Sequence, residues 1–150
     1  MNEHLTLRPV AGSDEYPKLV EIWASAVDAT HDFLADADRE QIRGKLATEY
    51  FPQVRLTVAE RDGEPVGFCG TAEGNVEMLF VHAGSSATGV GAALLRHAVA
   101  QEGAVAVDVN EQNPQALGFY EHLGFEVVSR SERDGQGLPY PLLHLRLRGR

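Results

Sequence analysis

Residues 85–95 read Ser-Ser-Ala-Thr-Gly-Val-Gly-Ala-Ala-Leu-Leu, small residues and two glycines one apart, followed by an apolar run. Gly89 and Gly91 would let a bulky group approach the backbone with no Cβ in the way. A loop that opens a helix also offers orphan N–H groups and the positive end of the helix dipole, and both favour phosphate. The chemistry on offer is anion binding. No Gly-Lys-Ser/Thr follows, which excludes a Walker-type loop, and Leu94 stands where a dinucleotide fingerprint needs its third glycine or alanine. The competing reading is a tight turn whose glycines serve packing only.

Proton-transfer chemistry has fewer candidates. His31, in Ala-Thr-His-Asp-Phe-Leu, falls four residues after Val27 and eight after Trp23, on one face of a helix. An imidazole there suits proton relay or substrate contact, with capping or packing as the alternative. Glu73 and His82 flank the ends of an apolar strand and are weaker candidates. Tyr140, in Pro-Tyr-Pro, lines a substrate pocket or packs beneath it. Cys69 sits in Val-Gly-Phe-Cys-Gly and reads as a small buried hydrophobe rather than a nucleophile. The six histidines lack metal-ligand spacing, so no metal is expected.

These residues need elements to carry them. Leu5–Arg8 alternates like a short strand that stops at Pro9. Ser13 or Asp14 could cap a helix through about Thr30, with Leu19, Trp23, Ala26 and Val27 on one face, and a second helix is expected from Ala37 to Tyr50. Arg55–Ala59 and Pro65–Thr71 form a hairpin about Asp62-Gly63, and Gly74-Asn75 turns into a strand Val76–Val81 expected to be buried on both faces. After the glycine loop a helix runs to about Gln101 and ends at Gly103, and Ala104–Val109 is a buried strand, parallel to the one before. Asn113-Pro114 opens a helix to Leu123 that stops at Gly124, and Phe125–Arg130 and Leu142–Arg146 close the chain as a strand pair. The terminal Leu-Arg-Leu-Arg-Gly-Arg reads as strand with solvated alternate residues. The expected order is βααβββαβαββ, an α/β (α+β) mixed sheet with helices on both faces.

Composition narrows the class. The chain has 150 residues with 43% hydrophobic and 23% charged residues, as expected of one soluble globular domain spanning 1–150. A formal charge of −9 argues against nucleic-acid binding. No apolar stretch reaches the roughly 18 residues of a membrane span, and the start lacks a secretory h-region. A single cysteine precludes an internal disulfide and fits a reducing cytoplasm. Monomer and homodimer are equally compatible with the composition.

The segment Val-Asp-Val-Asn-Glu-Gln-Asn-Pro-Gln-Ala-Leu-Gly-Phe-Tyr-Glu-His-Leu-Gly-Phe-Glu (107–126), with Leu-Phe-Val at 79–81 and Thr-Gly-Val-Gly at 88–91, resembles the GCN5-related N-acetyltransferase (GNAT) family. The expected element order matches that fold along nearly the whole chain. Residues 22–34, 109–116 and 130–143 resemble its YjaB-type bacterial branch, some of whose members are described as acetylating protein lysines. The resemblance implies acetyl-CoA as donor and an amine as acceptor: a protein lysine, a small metabolite or an amine toxin. Two alternatives stay open, an acyl-CoA sensor without turnover and a transferase for a longer acyl group.

The resemblance also assigns roles. Leu79, Phe80 and Val81 would pair with the pantetheine arm and polarise the acetyl carbonyl through backbone N–H groups. Ser86, Ala87, Thr88, Gly89, Val90, Gly91 and Ala92 would cradle the pyrophosphate. Asn113 would contact the cofactor near its thioester, and Tyr120 would protonate the departing thiolate, with a core aromatic as the alternative. Asp108 matches a position that carries a catalytic glutamate in some relatives. The loop departs from the family pattern Arg/Gln-Gly-x-Gly-x-Gly/Ala, because Ser86 replaces the basic or amide residue and Ala87 the first glycine. Exchanging an arginine–phosphate bond of ~1.5–3 kcal/mol for a hydroxyl bond of ~0.5–1.5 kcal/mol should weaken binding without abolishing it. Arg96, further along the helix, is one cation that could compensate.

Overall fold

The computed structural model describes residues 5–30, 33–85 and 88–149. Its element order is β1 (Leu5–Pro9), α1 (Tyr16–Thr30), α2 (Asp36–Lys45), β2 (Arg55–Arg61), β3 (Glu64–Ala72), β4 (Asn75–Val81), α3 (Val90–Glu102), β5 (Ala106–Asn110), α4 (Pro114–His122), β6 (Phe125–Ser131) and β7 (Leu142–Leu147). That is the expected βααβββαβαββ. The seven strands form one mixed sheet in the order β1-β2-β3-β4-β5-β7-β6, with β4 and β5 its parallel pair. The last strand therefore inserts between β5 and β6, which no local pattern announces.

Helices cover both faces. Leu19, Ile22, Trp23 and Val27 of α1 pack with Leu46, Phe51, Val58 and Phe68 on one side. On the other, Val90, Leu94, Leu95 and Ala98 of α3 and Tyr120 of α4 pack with Val107, Val109, Phe125 and Leu145. Helix α3 lies close on β3, because a Cβ at Gly67 would stand 3.0 Å from Val90 Cγ1.

Several local expectations are corrected. The N-terminal helix starts at Tyr16, after a 3-10 turn at Ser13–Glu15 whose cap is Gly12, so neither Ser13 nor Asp14 caps it. The second helix ends at Lys45, where a π turn (Leu46–Tyr50) rotates Leu46 and Phe51 into the core. The turn before β4 is Glu73-Gly74 rather than Gly74-Asn75, since Ala72 pairs with Asn75 and both intervening residues take positive φ, 51° and 83°. β5 begins at Ala106, two residues later than expected. β4 is less buried than its apolar run implied: only Val76 is fully buried, and residues 78–81 are half-buried. The cause is an opening in the sheet.

Candidate active site

The opening begins where β4 leaves β5. Their pairing is confined to Asn75–Ala106 and Val76–Val107. The next residues in register are Glu77 and Asp108, two carboxylates that repel across the fork. A bulge adds to the divergence, because Thr71 pairs with Val76 while Gly70 already pairs with Met78, leaving Glu77 as the extra residue. Beyond it the faces of β4 sort cleanly. Met78 and Phe80 pack toward α1, and Leu79 and Val81 toward α3. The His82 amide donates to the Val66 carbonyl at 2.8 Å. By the alternation of an antiparallel ladder, Phe80 and Met78 turn their backbone groups to β3, and Leu79 and Val81 turn theirs to the open edge.

Two clefts meet at this fork. One, of about 720 Å³, runs between β4 and β5 and is lined by Leu79, Phe80, Val81, Gly89, Gly91, Ala92, Asp108, Asn113 and Tyr120 among others. The second, of about 550 Å³, lies on the α1–α2 side against Trp23, Phe33, Tyr50, Met78 and Tyr140. Glu77, Met78, Phe80 and Asn110 border both. The structure thus brings together, in one cleft, most of the residues singled out from the sequence. His31, Ser86 and Ala87 lie outside the described residues.

Each side chain has a local reason for its place. Asn113 caps α4, its Oδ1 accepting from the Ala116 amide at 3.1 Å ahead of Pro114. Tyr120 is buried on α4 between Phe119 and Phe125, with ring centroids 5.0 Å and 5.9 Å away. Burial, with a smaller contribution from Cys69, pushes its phenol above the ordinary value, so it stays protonated. Gly89 holds the left-handed cap position of α3 at φ 90°, and a Cβ at Gly91 would crowd Phe119 at 3.3 Å. Val90 is buried under α3 and does not line the cleft through its side chain. Arg96 is exposed on α3. The guanidinium that touches the loop belongs to Arg61 of β2, whose Nη1 donates to Thr88 Oγ1 at 3.1 Å.

The carboxylates differ. Burial first, then the charges of Asp108 and Glu73, raises the Glu77 carboxyl above its usual range. Asp108, exposed like Glu77, has its Oδ1 2.6 Å from His144 Nδ1, while His144 Nε2 meets Ser131 Oγ at 2.7 Å. Glu77 is the residue sequence reasoning missed; its signal, a lone acid within an apolar strand, acquires meaning only from the bulge. Of the weaker candidates, Glu73 serves the turn and His82 accepts from the Gly84 amide at the exposed loop. Tyr140 lines the second cleft, and its hydroxyl bonds Asp38 and accepts from the Ala35 amide. Cys69 is buried and its thiol pushed up to about 12 by burial, chiefly, so it is no nucleophile at neutral pH.

The first cleft fits acetyl-CoA on structural grounds. The open backbone edge of Leu79 and Val81 and the left-handed Gly89 at the start of α3 are what a pantetheine arm and a pyrophosphate require. Among the described residues no helix is long and apolar enough to cross a membrane. Residues 24–145 match the family model of the acetyltransferase (GNAT) domain. The chain is 43% identical over 133 residues to the peptidyl-lysine N-acetyltransferase YjaB of Salmonella typhimurium, covering 88% of this chain and 91% of that one. The solution structure of apo-form YjaB from Escherichia coli superposes with a TM-score of 0.88 at 38% identity, over 97% of this chain and 99% of that one. The PaiA N-acetyltransferase of Thermoplasma acidophilum, solved in complex with coenzyme A, shares the fold at a TM-score of 0.72 and 16% identity over 95% and 98% of the two chains. With its split sheet, glycine loop and buried α4 tyrosine, the chain belongs to the GNAT family of acetyl-CoA-dependent N-acetyltransferases.

Proposed function

We propose that residues 1–150 act as one domain that acetylates the side-chain amine of protein lysines in the cytoplasm. The observation that carries this reading is the fork at Glu77, where a cleft suited to the donor and a second cleft open to an amine meet. The likeness to peptidyl-lysine acetyltransferases supports the choice of acceptor. Acetyl-CoA, when bound, supplies the activated acyl group. The Leu79 and Val81 backbone edge binds and orients the donor, and an N–H there stabilises negative charge on the carbonyl oxygen. An ammonium acceptor is drawn to the carboxylates of Glu77 and Asp108 and must lose a proton before attack. Glu77, whose carboxyl is raised from its ordinary value by burial and by the neighbouring charges of Asp108 and Glu73, accepts it. Tyr120 keeps the proton that the departing thiolate needs. Asn113 shapes the cleft where α4 begins. The charge of −9 gives no purchase for nucleic acid.

The test is thiol release from acetyl-CoA in the presence of lysine-containing peptides and small amines, with the product identified by mass spectrometry. Acetylated lysine is the expected product. Coenzyme A binding without thiol release from any acceptor would replace this reading with that of a sensor.

A further inference from the structure

The loop between β4 and α3 has no cationic side chain of its own, since residues 82–92 contain neither lysine nor arginine. A cation reaches it from elsewhere in the sheet. β2 and β4 are both antiparallel to β3, so the C-terminal end of β2 arrives at the same edge of the sheet as the loop. Arg61 is the last residue of β2, and the Asp62-Gly63 turn, with φ of 54° and 82°, fixes its backbone. Its Nη1 donates to Thr88 Oγ1 at 3.1 Å, and that hydroxyl donates in turn to the Ser85 carbonyl. Thr88 directly precedes the left-handed Gly89 at the start of α3. The guanidinium therefore holds both sides of the loop through a single hydroxyl, and it does so beside the helix N-terminus.

We propose that Arg61 is the positioning residue of this anion loop. Held on Thr88, it fixes the backbone at the start of α3 for the pyrophosphate and adds the positive charge that the loop side chains lack. This rests on the reading that the loop receives the pyrophosphate of acetyl-CoA. The arrangement moves the cation from the loop to a neighbouring strand, so the departure at Ser86 need not cost the site its charge. A guanidinium suits the task because its planar fork can hold the hydroxyl with one N–H and leave others to face an anion.

The experiment compares three ligands by titration, each with the unaltered protein and with Arg61→Gln, Arg61→Lys and Thr88→Val. The ligands are coenzyme A, dephospho-coenzyme A, which keeps the pyrophosphate, and pantetheine, which lacks it. Arg61→Gln should weaken coenzyme A and dephospho-coenzyme A alike, by about tenfold, and leave pantetheine unchanged. Arg61→Lys keeps the charge and should fall between. Thr88→Val should act in the same direction, and the double variant should be no weaker than Arg61→Gln alone, since both break one unit. The loss should shrink as salt rises. Equal losses for all three ligands would make Arg61 a general structural residue, and a loss confined to coenzyme A would move it to the 3′-phosphate. Either result, or unchanged affinities, overturns the proposal while leaving the acetyltransferase reading intact. Failure of the unaltered protein to bind coenzyme A would overturn both.

Discussion

Replacing Tyr120 by phenylalanine removes one oxygen from the buried end of the donor cleft and little else. The ring keeps its edge contacts with Phe119 and Phe125, at 5.0 Å and 5.9 Å, so packing is preserved. Stability should change by less than ~1 kcal/mol, against the ~3–5 kcal/mol expected if the ring itself were truncated to alanine. Affinity for coenzyme A should hold, because the backbone edge and the glycine loop that bind it are untouched. Turnover is another matter. A general acid contributes about 10²–10⁴-fold, which corresponds to ~2.7–5.4 kcal/mol of transition-state stabilisation. The phenol is suited to the role because burial holds its proton at every pH at which the enzyme would work. We therefore expect kcat to fall at least about a hundredfold at unchanged coenzyme A affinity and unchanged melting temperature. Stopped-flow thiol detection gives the rate, titration gives the affinity, and calorimetry gives the stability. Turnover within a few-fold of the unaltered enzyme would refute the general-acid role and leave Tyr120 as a core aromatic.

The other predictions follow from the same geometry. Glu77→Gln should lower kcat and abolish the acid limb of the pH–rate profile. Because the folded protein raises the Glu77 carboxyl, ionising it costs stability as pH rises through the folded value, so the glutamine variant should melt at or above the unaltered protein at pH 7, with the difference vanishing below about pH 4. A lower melting temperature at pH 7 would mean that Glu77 is held by favourable contacts. Gly91→Ala should stabilise α3 by up to ~1 kcal/mol, yet raise KM for acetyl-CoA several-fold, because the new Cβ meets the Phe119 ring at 3.3 Å in the cleft. Unchanged KM would show that the cofactor does not pass there. Glu15→Gln breaks the paired contact with Arg8, at 2.9 Å and 2.6 Å, and should cost about 1–2 kcal/mol at pH 7. Arg8 holds the Glu15 carboxyl below its usual range, so this stability is present above about pH 4.5 and is lost as pH falls through the lower folded value. Melting curves of both proteins from pH 7 to pH 2 should converge, and parallel curves would refute the assignment.

Element types were legible from the sequence because they rest on local physics. Asp62-Gly63 takes positive φ at both positions, Asn113-Pro114 caps and opens α4, and Gly103 and Gly124 take the positive φ that ends α3 and follows α4. Each depends on a residue and its immediate neighbours. Gly89, Gly91 and Tyr120 were singled out from residue type and short spacing for the same reason, and the structure places all three along the first cleft. What the tertiary structure decided depends on contacts between distant segments. The insertion of β7 between β5 and β6 follows from which edge remains free once β5 is placed. The half-buried state of Met78–Val81 follows from the split of β4 from β5, and an apolar run cannot announce that its neighbour is missing. Glu77 reads as an ordinary strand acid until the bulge and Asp108 set it at the junction of two clefts. Arg61 lies 27 residues from Thr88 in the chain, and only the shared edge of three strands brings the two together. Local chemistry named the parts, and long-range strand pairing, which no short window records, determined which of them face the same cavity.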